Sequence, residues 1–211
     1  MNSENGQTHS CLNIVVNPLV IVISGPSGVG KDAILNRLKN QKYPFEFITT
    51  VTTRSQRANE KHQVDYHFIS VEEYRQLIDN NGLLESANVY GNWYGVPRAP
   101  VKEALARGKD TIIKVDVQGA ANIKKALPEA VFIFISPPSL EELSNRLWLR
   151  RTETPADLAV RLKTAESEIK QVDIFDYVVQ NPCNQIDLAI QDILAIIRSE
   201  KCRVRQRKVE L

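Results

Sequence analysis

The stretch Gly25-Pro-Ser-Gly-Val-Gly-Lys31 constrains this chain more than any bulk property. It follows a fully apolar run, Leu19 to Ser24, and opens Lys31 to Asn40, a segment of helical periodicity. A G-x-x-x-x-G-K turn between a buried strand and a helix is the setting of a phosphate-binding loop, or P-loop. Glycines let the backbone curl until successive N–H groups point inward at one anion. The helix adds the partial positive charge of its first turn. Lys31 adds a mobile cation for phosphate oxygens. Gly25, Pro26, Ser27, Gly28, Val29, Gly30 and Lys31 are therefore the candidate cradle. The next position usually carries Ser or Thr and here carries Asp32. A carboxylate is a hard oxygen donor, which makes Asp32 the candidate Mg²⁺ ligand. The competing reading is that it complements the first turn of its helix.

The rest of the chain repeats the strand-helix rhythm. Phe45 to Val51 reads as a second strand, and Thr111 to Val115, Val131 to Ile135 and Tyr177 to Val179 as later ones. Each is short and rich in Val and Ile, with a helix-compatible segment after it. The expected fold is α/β, a parallel sheet flanked by helices. Two segments break the rhythm. Thr52 to Pro97 mixes short strands with a helix from Val71 to Asn80, which suggests an inserted subdomain. Trp148 to Pro155 is polar and charged between two helices and reads as a mobile loop, with Pro155 suited to a first helical turn.

Composition removes several classes. Lys plus Arg is 27 against 25 for Asp plus Glu, so a phosphate site must be a local cluster and a nucleic-acid partner is not expected. The cysteines, Cys11, Cys183 and Cys202, have no disulfide or zinc spacing. No apolar run approaches the ~20 residues of a membrane span. Met1 to Asn17 is polar without Lys or Arg, which fits neither a secretory signal nor an Arg-rich transit peptide. The expected location is cytoplasmic. The final helix, about Ile186 to Arg198, presents Leu188, Ile190, Ile193, Leu194 and Ile197 as its apolar face. The basic tail beyond it reads as a solvated helix end.

Five blocks in register resemble guanylate kinases, from about Leu19 to the end of the chain. They are the loop at Gly25 to Asp32; Thr53-Arg54-x-x-Arg57-x-x-Glu60 with Asp65-Tyr66-His67-Phe68; Glu85; Gly91-Asn-Trp-Tyr94-Gly95; and Asp116-Val-Gln-Gly119. The resemblance implies a P-loop core, a GMP-binding insertion and an arginine-bearing lid. The corresponding expectation is an unstructured extension at 1–18, a core of 19–51 and 98–211, an insertion of about 52–97 and a lid of about 147–160. It also implies transfer of the γ-phosphoryl of ATP to GMP and dGMP in purine nucleotide recycling, with Mg²⁺ as cofactor, in a monomer or homodimer.

On that resemblance Arg54, Arg57, Tyr66, Thr50 and Tyr94 grip the GMP phosphate, where guanidinium forks suit a dianion. Glu60 orients an arginine. Glu85 reads guanine, because a carboxylate accepts from N1–H and N2–H together and adenine offers no such donor pair. Asp116 reaches the GMP site or the metal shell. Arg146-Leu-Trp-Leu-Arg150-Arg151-Thr152, with Arg161 downstream, matches the family's R-x-x-x-R-G-T lid, so Arg146, Arg150 and Arg161 close over the transferring phosphoryl. Asn181 lies near adenine.

Departures from the family pattern are Asp32, Val96 for a hydroxyl residue that faces guanine O6, Lys114 for the first acid of D-x-D-x-Q-G, and Arg151 for glycine. Ser86 is a candidate substitute for the hydroxyl lost at Val96. Asp32 and Lys114 together look like an exchange of acidic positions near Mg²⁺. His62 and His67 read as strand residues of the insertion rather than acid–base groups. Two other readings stay open: a related P-loop kinase with another phosphate acceptor, and a family member that has lost catalysis and binds protein.

Overall fold

The computed structural model describes residues 16–58, 60–89, 91–149 and 155–211. In chain order the elements are β1 (Val20–Ser24), α1 (Lys31–Asn40), β2 (Glu46–Ile48), β3 (Val51–Thr52), β4 (His67–Phe68), α2 (Val71–Asp79), β5 (Leu83–Val89) and β6 (Asn92–Pro97). There follow α3 (Arg98–Ala106), β7 (Thr111–Lys114), α4 (Val117–Ala126), β8 (Val131–Ser136), α5 (Leu140–Leu149), α6 (Pro155–Ile169), β9 (Tyr177–Gln180) and α7 (Ile186–Lys201).

A five-stranded sheet, ordered β2-β7-β1-β8-β9, is parallel throughout. Its central strand shows why the apolar runs are continuous. Leu19, Ile21 and Ile23 face Ile34 and Leu38 of α1 and Ile190, Ile193 and Ile197 of α7. Val20 and Val22 face the other way, toward Val101 of α3 and Ala120 and Ile123 of α4. Strand side chains alternate faces, so burial on both sides requires apolar residues at every position. Each such side chain contributes about 1.5–3 kcal/mol relative to an exposed one. With β1 central, its glycine turn opens at the carboxyl edge of the sheet, where parallel sheets place ligands.

A second sheet, β4-β3-β6-β5, carries the segment that broke the rhythm. The strand expected over Phe45 to Val51 is two strands in different sheets, because the chain crosses from one to the other at Thr49 and Thr50. Glu46 to Ile48 pair with β7, and Val51 and Thr52 pair with β6. Helix α2 has a full capping box: Ser70 Oγ accepts from Glu73 N, and the Glu73 carboxylate accepts from Ser70 N.

The described residues at both ends of the chain make specific contacts. Residues 1–15 of the anticipated extension lie outside the described residues, and Asn17 donates to the Arg207 carbonyl at 3.1 Å. Leu188, assigned above to the apolar face of α7, is 47% exposed; Ala189 is buried in its place. The tail is docked rather than solvated. Glu200, 1% exposed, accepts from Tyr177, Arg203 and Arg207, and Val209 and Leu211 pack on the α3/α4 side of the core. Burial pushes the Glu200 carboxyl up, but the bonds from Arg207 and Tyr177 outweigh it and leave it below the ordinary value. Arg207→Ala breaks the shortest of these arginine bonds. The expected loss is about 3 kcal/mol in urea unfolding, at the low end for a broken buried pair because Tyr177 and Arg203 remain. A loss below 0.5 kcal/mol would show that Arg207 only decorates the surface.

Candidate functional site

The glycine turn of the candidate cradle lies between β1 and α1. Gly25 and Gly30 have φ of +142° and +102°, and a Cβ at Gly25 would run into the Ile135 carbonyl. A Cβ at Gly30 would stand 2.5 Å from Asn181 Nδ2. Gly30→Ala is therefore expected to lower thermal stability by several degrees, from about 2 kcal/mol of backbone and packing strain. It should also abolish measurable ADP binding by calorimetry; wild-type ADP affinity would overturn this.

Lys31 Nζ donates to the carbonyls of Gly25 and Pro26, so its ammonium lies along its own loop. Burial lowers its pKa to about 8, against the pull of Glu168 and Asp32. Glu168, from the end of α6, has its Oε2 buried without a partner. Burial raises its carboxyl, with Lys31 opposing. No sequence pattern marked Glu168; a glutamate in a helix has no local signature of what it meets.

Arg146 and Asn181 close one side of the cradle. Arg146 Nε donates to Glu142, Nη1 to Val29 O at 3.2 Å and Nη2 to Asn181 O at 3.0 Å. Asn181, 6% exposed, donates from Nδ2 to Val29 O at 2.8 Å and keeps Oδ1 buried and unpartnered. Arg161 lies half-buried on α6. Arg150 lies outside the described residues, as do Arg151 and Thr152.

Across the site stands an arginine-aromatic cluster. Arg54 donates from Nε to Tyr94 Oη at 3.1 Å, from Nη1 to Ser55 O at 2.7 Å and from Nη2 to Glu60 at 2.8 Å. It also lies over the rings of Tyr66 and Phe68, 5.6 Å from each centroid. The guanidinium is thereby fixed in one plane. Burial raises the Glu60 carboxyl, but the bonds from Arg54 and from the Arg57 N–H outweigh it and hold it low. The Arg57 side chain is exposed. Thr50 is buried with its hydroxyl on the Lys114 carbonyl at 3.3 Å.

Glu85 sits deeper, on β5, 6% exposed and with Oε2 unpartnered. Burial, then the nearby Asp116, pushes its carboxyl up to about 8. Val96, fully buried, is its direct partner on β6, so the valine methyls help to desolvate it. Ser86 cannot replace the missing hydroxyl there. It faces the other side of the strand, where Tyr74 Oη lies 2.7 Å from its Oγ. Asp116 is the N-cap of α4, its Oδ1 accepting from Gly119 N at 2.7 Å. An Asp before a helical run is a cap signal that the family resemblance had overshadowed.

Lys114 joins the two halves. Its Nζ donates to Asp32 Oδ1 at 2.6 Å and lies 4.6 Å from the Tyr66 ring centroid. The Asp32 carboxylate is thus already engaged by a cation. Among the described residues no three Asp, Glu, His or Cys side chains converge to hold a metal. These residues do not build a metal site of their own.

The comparisons with known proteins agree with this geometry. The guanylate kinase family model matches residues 17–200. The chain is 46% identical over 186 residues to a guanylate kinase of Bacillus cereus, covering 88% of this chain and 90% of that protein. It is 42% identical over 195 residues to guanylate kinase 2, chloroplastic/mitochondrial, of Oryza sativa, covering 92% of this chain and 68% of that protein. The crystal structure of a guanylate kinase from Anaplasma phagocytophilum superposes with a TM-score of 0.71 at 34% identity, covering 90% of this chain and 89% of that one. A family model over residues 17–200 and relatives at 42–46% identity establish that the chain belongs to the guanylate kinase family.

Proposed function

We propose that this protein transfers the γ-phosphoryl of ATP to GMP, and to dGMP, giving ADP and GDP. The observation that carries the reading is Glu85: a buried carboxyl group with an unpartnered oxygen, close to Asp116 at the start of α4. A buried acceptor of this kind calls for a ligand with paired N–H donors, and the guanine edge offers them. Gly25 to Gly30 and Lys31 hold the donor phosphates, with Asn181 beside adenine. Arg54, Tyr66 and Tyr94 hold the acceptor phosphate, with Thr50 and Arg57 at its margins.

Phosphoryl transfer asks little covalent work of a protein. It requires two polyanions held in line and the charge between them neutralised. Lys31, Arg54 and Arg146 supply cations from three separate elements, and Arg150 and Arg161 are proposed to join them on closure over the nucleotides. Glu60 keeps Arg54 in its plane, so the guanidinium meets the phosphate without a reorganisation cost. Mg²⁺ brought with ATP would supply charge neutralisation at the phosphates, and the described residues add no carboxylate cluster to hold it. Among the described residues no helix is long and apolar enough to cross a membrane; the cytoplasm is the proposed compartment.

The direct test is ADP formation by the protein with ATP and a panel of acceptors. GMP and dGMP should lead AMP, CMP and UMP by at least about 10²-fold in kcat/KM, since the mismatched bases leave Glu85 unpaired. Preference for a non-guanine acceptor would overturn the substrate assignment, and no turnover with any acceptor would favour a protein-binding role.

A further inference from the structure

The Asp32–Lys114 pair is built asymmetrically. The lysine side chain is 14% exposed and the aspartate 69%. The ammonium is therefore the buried member, and it touches residues of two separate elements of the fold. Asp32 stands on the first turn of α1, directly after the cradle lysine, and Tyr66 belongs to the arginine-aromatic cluster of the second sheet. The Lys114 ammonium hydrogen-bonds the Asp32 carboxylate and lies against the Tyr66 ring. Tyr66 in turn packs edge-on to Tyr94, with ring centroids 5.9 Å apart, and under Arg54. The backbone of Lys114 is tied as well, since Thr50 donates to its carbonyl where the chain crosses between the sheets.

A buried ammonium needs its partners: desolvation disfavours it unless opposite charge and hydrogen bonds are close by. Asp32 supplies the opposite charge from outside. The same contact removes a difficulty at the cradle, because an uncompensated carboxylate beside Lys31 would repel incoming phosphate. Each member thus answers a problem created by the other. The geometry also leaves Asp32 poorly placed as a metal ligand, one of its oxygens already being held at hydrogen-bond distance.

We propose that Lys114 is a positioning residue for the acceptor phosphate, held in place by Asp32, and that Asp32 serves the GMP side of the site through Lys114 rather than through a metal. This rests on the reading of Arg54, Tyr66 and Tyr94 as the acceptor grip. Lys114 fixes the Tyr66 phenol relative to the cradle, so donor and acceptor half-sites keep one spacing.

The experiment is calorimetric titration of GMP, and separately of ADP, into wild type, Asp32→Asn, Lys114→Met, Lys114→Arg and the Asp32→Asn/Lys114→Met double variant. EDTA is present, and ATP and divalent cations are absent. Lys114→Met should weaken GMP binding about tenfold and Asp32→Asn about threefold, and the double variant should bind no more weakly than Lys114→Met alone. Lys114→Arg should recover most of the affinity, and ADP binding should weaken less than twofold throughout.

A metal-ligand role for Asp32 predicts no change in GMP affinity without metal, so unchanged GMP binding in Asp32→Asn overturns the proposal. Additive losses, or equal losses for GMP and ADP, overturn it too. Should Lys114→Met fail to fold, Asp32→Asn alters an exposed side chain and still decides the matter. Failure here with wild type still phosphorylating GMP removes only this inference; wild type inert toward GMP removes the functional reading beneath it.

Discussion

Glu85→Gln is expected to raise the KM for GMP by about 10²–10³-fold while changing that for ATP less than threefold. The carboxylate accepts two guanine donors at once, and the amide offers one carbonyl oxygen and a donor group that meets another donor. Loss of charge-assisted bonds in a buried site costs about 3 kcal/mol or more. Steady-state kinetics with each substrate varied will show whether the effect is confined to GMP; equal shifts for both would remove Glu85 from base reading.

The pH dependence follows from the same burial. The Glu85 carboxyl, raised from 4.5 to about 8, keeps in the folded chain a proton that the unfolded chain loses above 4.5. Between those values the folded state binds more protons, so this group's contribution to stability declines as pH rises toward 8. Guanine binding selects the carboxylate and so releases that proton. GMP affinity should climb with pH up to about 8 and then level, and titrations in buffers of different ionisation enthalpy should reveal proton release that Glu85→Gln abolishes.

Lys31→Met is expected to lower kcat/KM for ATP by about 10³-fold, near 4 kcal/mol of transition-state stabilisation, without unfolding the protein. Its ammonium bonds only loop carbonyls, which a thioether side chain leaves to the neighbouring backbone. The same lysine sets the alkaline limb of activity. With its pKa lowered to about 8, Lys31 loses charge in the free protein above that pH, while Glu85 gains it. A profile of kcat/KM that peaks near pH 8 is expected, and one flat from pH 6 to 10 would count against both assignments.

Features carried by local order were legible before any coordinates. The cradle, the limits of α1 and the buried strands follow from glycine spacing and apolar periodicity. The resemblance assigned Glu85 and Arg54 to one site; the fold buries the first and bonds the second to Tyr94 and Glu60. What escaped was pairing over distance. Lys114 and Asp32 are 82 residues apart, and nothing in either neighbourhood names the other. Glu168 comes within electrostatic reach of Lys31 only through the path of α6. The side of β5 that Ser86 faces depended on register, and one step along a strand reverses a side chain. Arg207 looked like one more cation in a basic tail until the fold placed the buried Glu200 beneath it.

Lys31 resting on the carbonyls of Gly25 and Pro26 has a consequence for how the loop meets its ligand. The chain holds its own cation in place with oxygens of its backbone. An arriving nucleotide exchanges one set of acceptors for another, and the rotamer freedom of that side chain is not charged in full against binding.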